Sequence, residues 1–221
     1  MTTKPLLLNF FMLIAIWGFS SEIALAPADT SGISIFNLKN TNESLTWLGV
    51  DCSLYRIKSN RNIAQDDKLR TVLLEGIPFF HRHHMSYKQL ADWLGLKKER
   101  INSQIEFGLN QTKTKLPKYW ILPDCECYYL RQDNIIKHIK TYTIEGYGMA
   151  LVLIPEMTNM HEHLNYSWLV FFDLETKDII WMNRSVTPQK LNDTPRRGHF
   201  GTEWLFIIKD FIDGTYRKNL D

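Results

Sequence analysis

The chain has little cysteine, little net charge and no apolar stretch of bilayer length. Three cysteines in 221 residues are too few for a disulfide scaffold. A net charge of +2 at pH 7 gives no electrostatic case for nucleic acid or for an acidic partner. The N-terminal apolar run, Leu6–Phe19, is broken only by Asn9 and falls short of the roughly 20 residues that a spanning helix needs. There is no internal repeat, no low-complexity tract and no His-Glu-x-x-His zinc signature. What remains is a globular balance. Hydrophobic residues at 44% and charged residues at 23% exclude wholesale disorder, and 13% aromatics suffice for a sizeable core.

Lys4 precedes the apolar run, and the small residues Ala24, Ala26 and Ala28 follow it. That is the order of a secretory signal peptide, expected over residues 1–28 with cleavage after Ala28, because a cut after Ala26 would set Pro27 beside the scissile bond. No cysteine near the cut supports a lipoprotein anchor; the alternative is an uncleaved anchor. Both versions export the chain to the periplasm or cell envelope, and processing leaves no stable membrane span. Removing Lys4 and Glu22 leaves the mature charge at +2. Residues 29–45, polar with Gly32, read as a flexible arm, and residues 46–221 as a single α/β domain.

Along that domain, Leu48–Lys58 alternates like a strand. Asp66 and Asp67 open a helix with Leu69, Val72, Leu73, Ile77 and Phe80 inward, which Pro78 is expected to kink or end. Ser86–Gln89 is a capping box, and the helix behind it stops at Gly95. Ile101, Ile105 and Leu109 mark another helix. Tyr119–Leu122 reads as a strand and Asp133–Tyr142 as a helix with Ile135, Ile136 and Ile139 inward. Met149–Ile154 is apolar enough to be buried on both faces. Tyr166–Leu174 and Asp178–Met182 form a hairpin, and Thr202 opens the last helix, which ends at Gly214. The expected fold is α/β (α+β): one mixed sheet of about five strands with a C-terminal antiparallel hairpin and helices packed on it.

The stretches GYGMALVLIPE and YSWLVFFDLETKDIIWMNRS between Gly146 and Ser185, with GVDCSLYRI from Gly49, the Gly198–Gly201 loop and the final helix, resemble exported Bacteroidetes proteins of a domain of unknown function. In those proteins an aromatic is usual in place of Cys52. The resemblance covers about two-thirds of the mature chain and rests on core strands and glycines, so it implies a fold and no chemistry. More loosely, the element order is similar to small envelope-assembly α/β domains of the TolB amino-terminal and curli-secretion types.

Four motifs are candidates for chemistry. Gln89–Ile105 has the Ala91, Gly95 and Ile101 spacing of a helix-turn-helix, with Lys97, Lys98 and Arg100 to meet phosphates. The same residues make an ordinary helical hairpin, the reading that an export signal favours. His81 with His83, and His161 with His163, would each share a face if extended, and two such pairs could close a zinc or copper site; solvated loop histidines are the plainer alternative. Cys125 and Cys127 flank Glu126, and an oxidising compartment allows redox or metal chemistry. A bridge across one residue is strained, however, and the open possibilities are Cys52 paired with one of them, a vicinal-type bridge, or three free thiols with Cys52 in the core. Arg196, Arg197, Gly198, Gly201 and Thr202 combine charge, a glycine loop and a helix start, a possible anion-binding set whose plainer reading is a turn and a cap. Asp51 and Ser53 point the same way from the first strand, but the sequence ties no histidine to them.

No catalytic set emerges from these residues. The leading expectation is a non-enzymatic exported module that binds an envelope protein partner, with no cofactor and no nucleic acid. The alternatives are a small exported metal-binding protein or enzyme using the histidine clusters, and a DNA-binding regulator using residues 89–105.

Overall fold

A computed structural model describes residues 35, 38–39, 42–59, 67–123, 127–188 and 202–216. The expected signal peptide lies outside the described residues. Leu45–Val50 forms β1 and Arg56–Ser59 forms β2. Asp67–His83 is α1, Tyr87–Leu94 is α2, Ile101–Ser103 is β3 and Ile105–Lys115 is α3. Ile121–Pro123 is β4 and Gln132–Lys140 is α4. Met149–Asn159, Leu164–Asp173 and Ile179–Pro188 are β5, β6 and β7, and Thr202–Phe211 is α5.

The seven strands are parallel in four pairings and antiparallel in the β5–β6–β7 meander. They fill five positions. β6 lines one edge of β5, while β1 and then β2 share the other edge, with β3 and β4 outside them. The expected first strand is therefore broken: Val50 pairs with Leu153 and Arg56 with Met157, so residues 51–55 stand opposite only residues 154–156. A bulge between Pro155 and Met157 answers the break from the β5 side.

Helices cover both faces, as the all-buried pattern of β5 requires. Trp47, Leu151, Leu153, Leu169 and Phe171 pack on one face with α1, α2 and α5. Ala150, Val152, Trp168, Val170 and Phe172 pack on the other with Ile135 and Ile139 of α4. α3 lies so close to β1 that a Cβ on Gly108 would meet the Val50 carbonyl oxygen at 2.7 Å and that of Leu48 at 2.8 Å. Only glycine permits that approach. From the segment before β1, Ile35 and Leu38 are buried in the first core, and the Arg100 guanidinium donates to the Leu38 and Glu43 carbonyls.

Two local readings change. The helix-turn-helix, and the helical hairpin beside it, do not form over Gln89–Ile105. α2 closes at Gly95, residues 98–100 make a single 3-10 turn, and Ile101 then pairs parallel with Leu45. A strand position on the sheet edge buries Ile101 where a second helix was expected. Nor does Pro78 end α1. The helix continues past it to His83, forfeiting the one intrahelical bond that the missing N–H would make.

Candidate functional site

The break in the first strand organises the polar chemistry of the molecule. Asp51 follows β1 directly and is fully buried. Its Oδ2 accepts from His138 Nε2 at 2.8 Å and from the Tyr142 hydroxyl at 2.6 Å, and its Oδ1 accepts from the Ser53 N–H at 2.8 Å. The period of α4 brings this about: Ile135, His138, Ile139 and the following Tyr142 share its inner face. Burial alone would raise the Asp51 carboxyl. The hydrogen bonds and charge from His138, with those from Tyr142 and Ser53, outweigh it and hold the group below the usual carboxylate range. Burial and the Asp51 charge push the Tyr142 phenol well up.

Asp51, Ser53 and His138 have the residue types of a hydrolase triad but not its wiring. His138 Nε2 meets both Asp51 Oδ2 at 2.8 Å and Ser53 Oγ at 3.1 Å. A base must take the serine proton on one ring nitrogen while the carboxylate orients the other. Here one nitrogen faces both, and its proton is committed to the carboxylate. Ser53 is also buried. Cys52 turns to the opposite core, its backbone N–H donating to Thr112 Oγ1 at 2.8 Å. Burial and Asp51 raise its thiol well above the usual range, so it is no thiolate nucleophile.

Outward from the break, the same face of the sheet carries a second charged group. Glu156, the bulge residue of β5, is fully buried. Arg184 of β7 grips it with two hydrogen bonds, Nε to Oε2 at 2.8 Å and a terminal nitrogen to Oε1 at 2.9 Å. Trp168 Nε1 donates to Oε2 at 2.9 Å and the Leu130 N–H to Oε1 at 3.3 Å. Burial opposes the charge on Arg184, but its bonds to Glu156 raise it above the ordinary guanidinium value. The guanidinium lies 4.6 Å from the ring centroids of both Tyr129 and Tyr166. Arg56 lies 4.9 Å from the Tyr128 ring, whose hydroxyl donates to the Leu54 carbonyl at 2.6 Å. Burial pushes the Tyr128 phenol up to about 12. Tyr129 remains 53% exposed. The result is a surface of three tyrosines and two arginines seated on a buried carboxylate.

The histidine pairs are not brought together, and neither pair is extended. His81 and His83 lie in the last turn of α1, where residues two apart diverge around the helix. His161 and His163 lie in the tight β5–β6 turn, where Asn159 Oδ1 accepts from the His161 and Glu162 N–H groups and His163 takes a positive φ of 55°. His81 packs beside Trp47, which pairs with Leu151, ten residues back along the chain from His161. At a strand's rise that puts the two pairs about 30 Å apart. No group of three or more metal-ligating side chains occurs among the described residues. His81 itself is 4% exposed, without a hydrogen bond on either ring nitrogen, and burial lowers it to about 4 although the nearby Met85 backbone acts the other way.

Cys127 is exposed and, like Cys52, free, whereas Cys125 lies outside the described residues. Arg196, Arg197, Gly198 and Gly201 also lie outside them, and Thr202 begins α5. No described helix is long and apolar enough to cross a membrane. Comparison with protein-family models, curated proteins and solved structures gives no match.

Proposed function

We propose that this protein is a non-enzymatic exported module that binds a protein partner in the cell envelope through the tyrosine and arginine surface around Arg184. Export is supported by the order of Lys4, the apolar run Leu6–Phe19 and the small residues up to Ala28. Binding is supported above all by one observation: Arg184 is fixed by the buried Glu156 carboxylate and lies against Tyr129 and Tyr166. Tyrosine and arginine are enriched among binding hot spots, and a guanidinium already ordered loses little freedom on binding. The absence of catalysis is supported by the shared His138 nitrogen, which leaves Ser53 without a base.

The test is made on protein from the native host. Its intact mass should begin at or near Asp29, and the native extract should elute above the size of the monomer. Tyr129→Ala, at a half-exposed position that leaves the Arg184–Glu156 pair in place, should return it to the monomer position while leaving the fold intact by circular dichroism. A chain that keeps Met1 in the cytosol, or a complex unchanged in the Tyr129→Ala variant, overturns the reading.

A further inference from the structure

α1 and α3 run antiparallel beside the sheet. Arg70 near the start of α1 donates to the Leu116 and Lys113 carbonyls at the end of α3. His81 near the end of α1 packs with the Ile105 backbone, at the start of α3, around Gly49. Between the two helices lies an open groove of about 360 Å³. Its floor is apolar, formed by Leu74, Pro78, Phe79 and Leu109. Pro78 has no N–H to return to the Leu74 carbonyl, which keeps the groove wall of α1 free of one intrahelical bond.

The charges at the two ends differ. Lys113 stands at one end with Glu75 on the same half of α1. Arg82 stands at the other, and its one hydrogen bond among the described residues is a long one, 3.5 Å from Nε to the Pro78 carbonyl of its own helix. Leu74 to Arg82 spans about 12 Å of helix. The groove volume falls at the lower end of small-ligand sites, which start at about 300 Å³.

We propose that the α1–α3 groove binds an anionic amphiphile, with its hydrocarbon chain on Leu74, Pro78, Phe79 and Leu109 and its anionic head at Arg82. The site is separate from the surface around Arg184. An acyl chain complements the floor, and a carboxylate or sulfate head complements a guanidinium that has no carboxylate partner among the described residues.

The test is titration of the full chain with dodecanoate below its micelle concentration, followed by the methyl resonances of Leu74 and Leu109. The expected result is saturable one-site binding with shifts at both leucines. Affinity should fall at least about tenfold for dodecyltrimethylammonium, and similarly for dodecanoate with Arg82→Glu, an exposed position where folding is not at stake. Equal affinity for the cationic chain, an unchanged affinity in Arg82→Glu, or the absence of saturable shifts at the two leucines overturns the proposal. Binding of an acidic amphipathic peptide in place of dodecanoate overturns it in favour of a protein ligand.

Discussion

His138 reaches Asp51 across 87 positions of the chain, Nε2 to Oδ2 at 2.8 Å, and so pins α4 to the break in the first strand. The pair is buried, with side-chain exposures of 8% and 0%. Breaking such a pair leaves a polar group without a partner in the core. Asp51→Asn puts an amide donor among donors and should cost about 3 kcal/mol of stability. Ser53→Ala removes only the weaker contact and should cost less than about 1 kcal/mol. Urea denaturation of both variants checks the contrast, and equal losses would mean that the Ser53 hydroxyl contributes as much to the network as the Asp51 carboxylate.

Among the described residues two buried groups, His81 and Asp51, shape the acid limb of stability, in different windows. Folded His81 holds its proton only below about 4, against 6.5 in the unfolded chain. Between those values the unfolded chain binds more protons, so stability should fall as pH drops from 6.5 towards 4, by about 3 kcal/mol in total. Asp51 is lowered below its unfolded 3.8, so its stabilisation is complete above that pH and is lost only as pH falls further. His81→Leu should flatten the first window and leave the second. A slope between pH 6.5 and 4 that persists in His81→Leu would assign it elsewhere.

Gly108 tests the packing of α3 on the sheet. Its α-carbon faces the Val50 and Leu48 carbonyls, and a methyl would meet them at 2.7 and 2.8 Å. Those atoms are strand backbone and cannot rotate away. Gly108→Ala, normally favourable in a helix, should instead destabilise by about 1–3 kcal/mol. A rise in melting temperature would show that α3 stands further from β1.

Much of this architecture is legible in the residues, because apolar periodicity reports burial. The apolar run from Met149 marks the central strand, and Ser86 with Gln89 makes the capping box that begins α2. The site is less legible. Asp51 and Ser53 stand out on one strand, but the partner is 87 positions away and no local rule names it. Even so, the helix period that sets Ile135 and Ile139 inward also sets His138 there. Glu156 is missed when the strand is stopped at Ile154, yet a carboxylate inside an apolar run is itself a sign of a buried ion pair. Ile101 misleads because an isolated apolar residue after a glycine fits a helix and a three-residue edge strand equally, and only pairing with Leu45 decides.

Arg184 and Glu156 are matched in shape as well as charge, two parallel bonds on one carboxylate. Arg184→Lys keeps the charge and loses the fork, so it should lose about 1–2 kcal/mol of stability and weaken partner binding. Glu156→Gln should do the same by releasing the guanidinium. Melting curves and the native elution position give the two readouts. Normal binding by the Arg184→Lys variant would assign recognition to the tyrosines alone.

The most direct measurement puts a photo-crosslinking amino acid at position 129 in the native host, with the same residue at position 147 as control. Tyr147 is 79% exposed and precedes the opposite end of β5. One discrete adduct in the envelope fraction from position 129, absent from position 147 and weakened with Arg184→Lys, is the predicted result. Identical patterns from both positions, or no adduct at 129, would contradict the assignment of this surface to a partner.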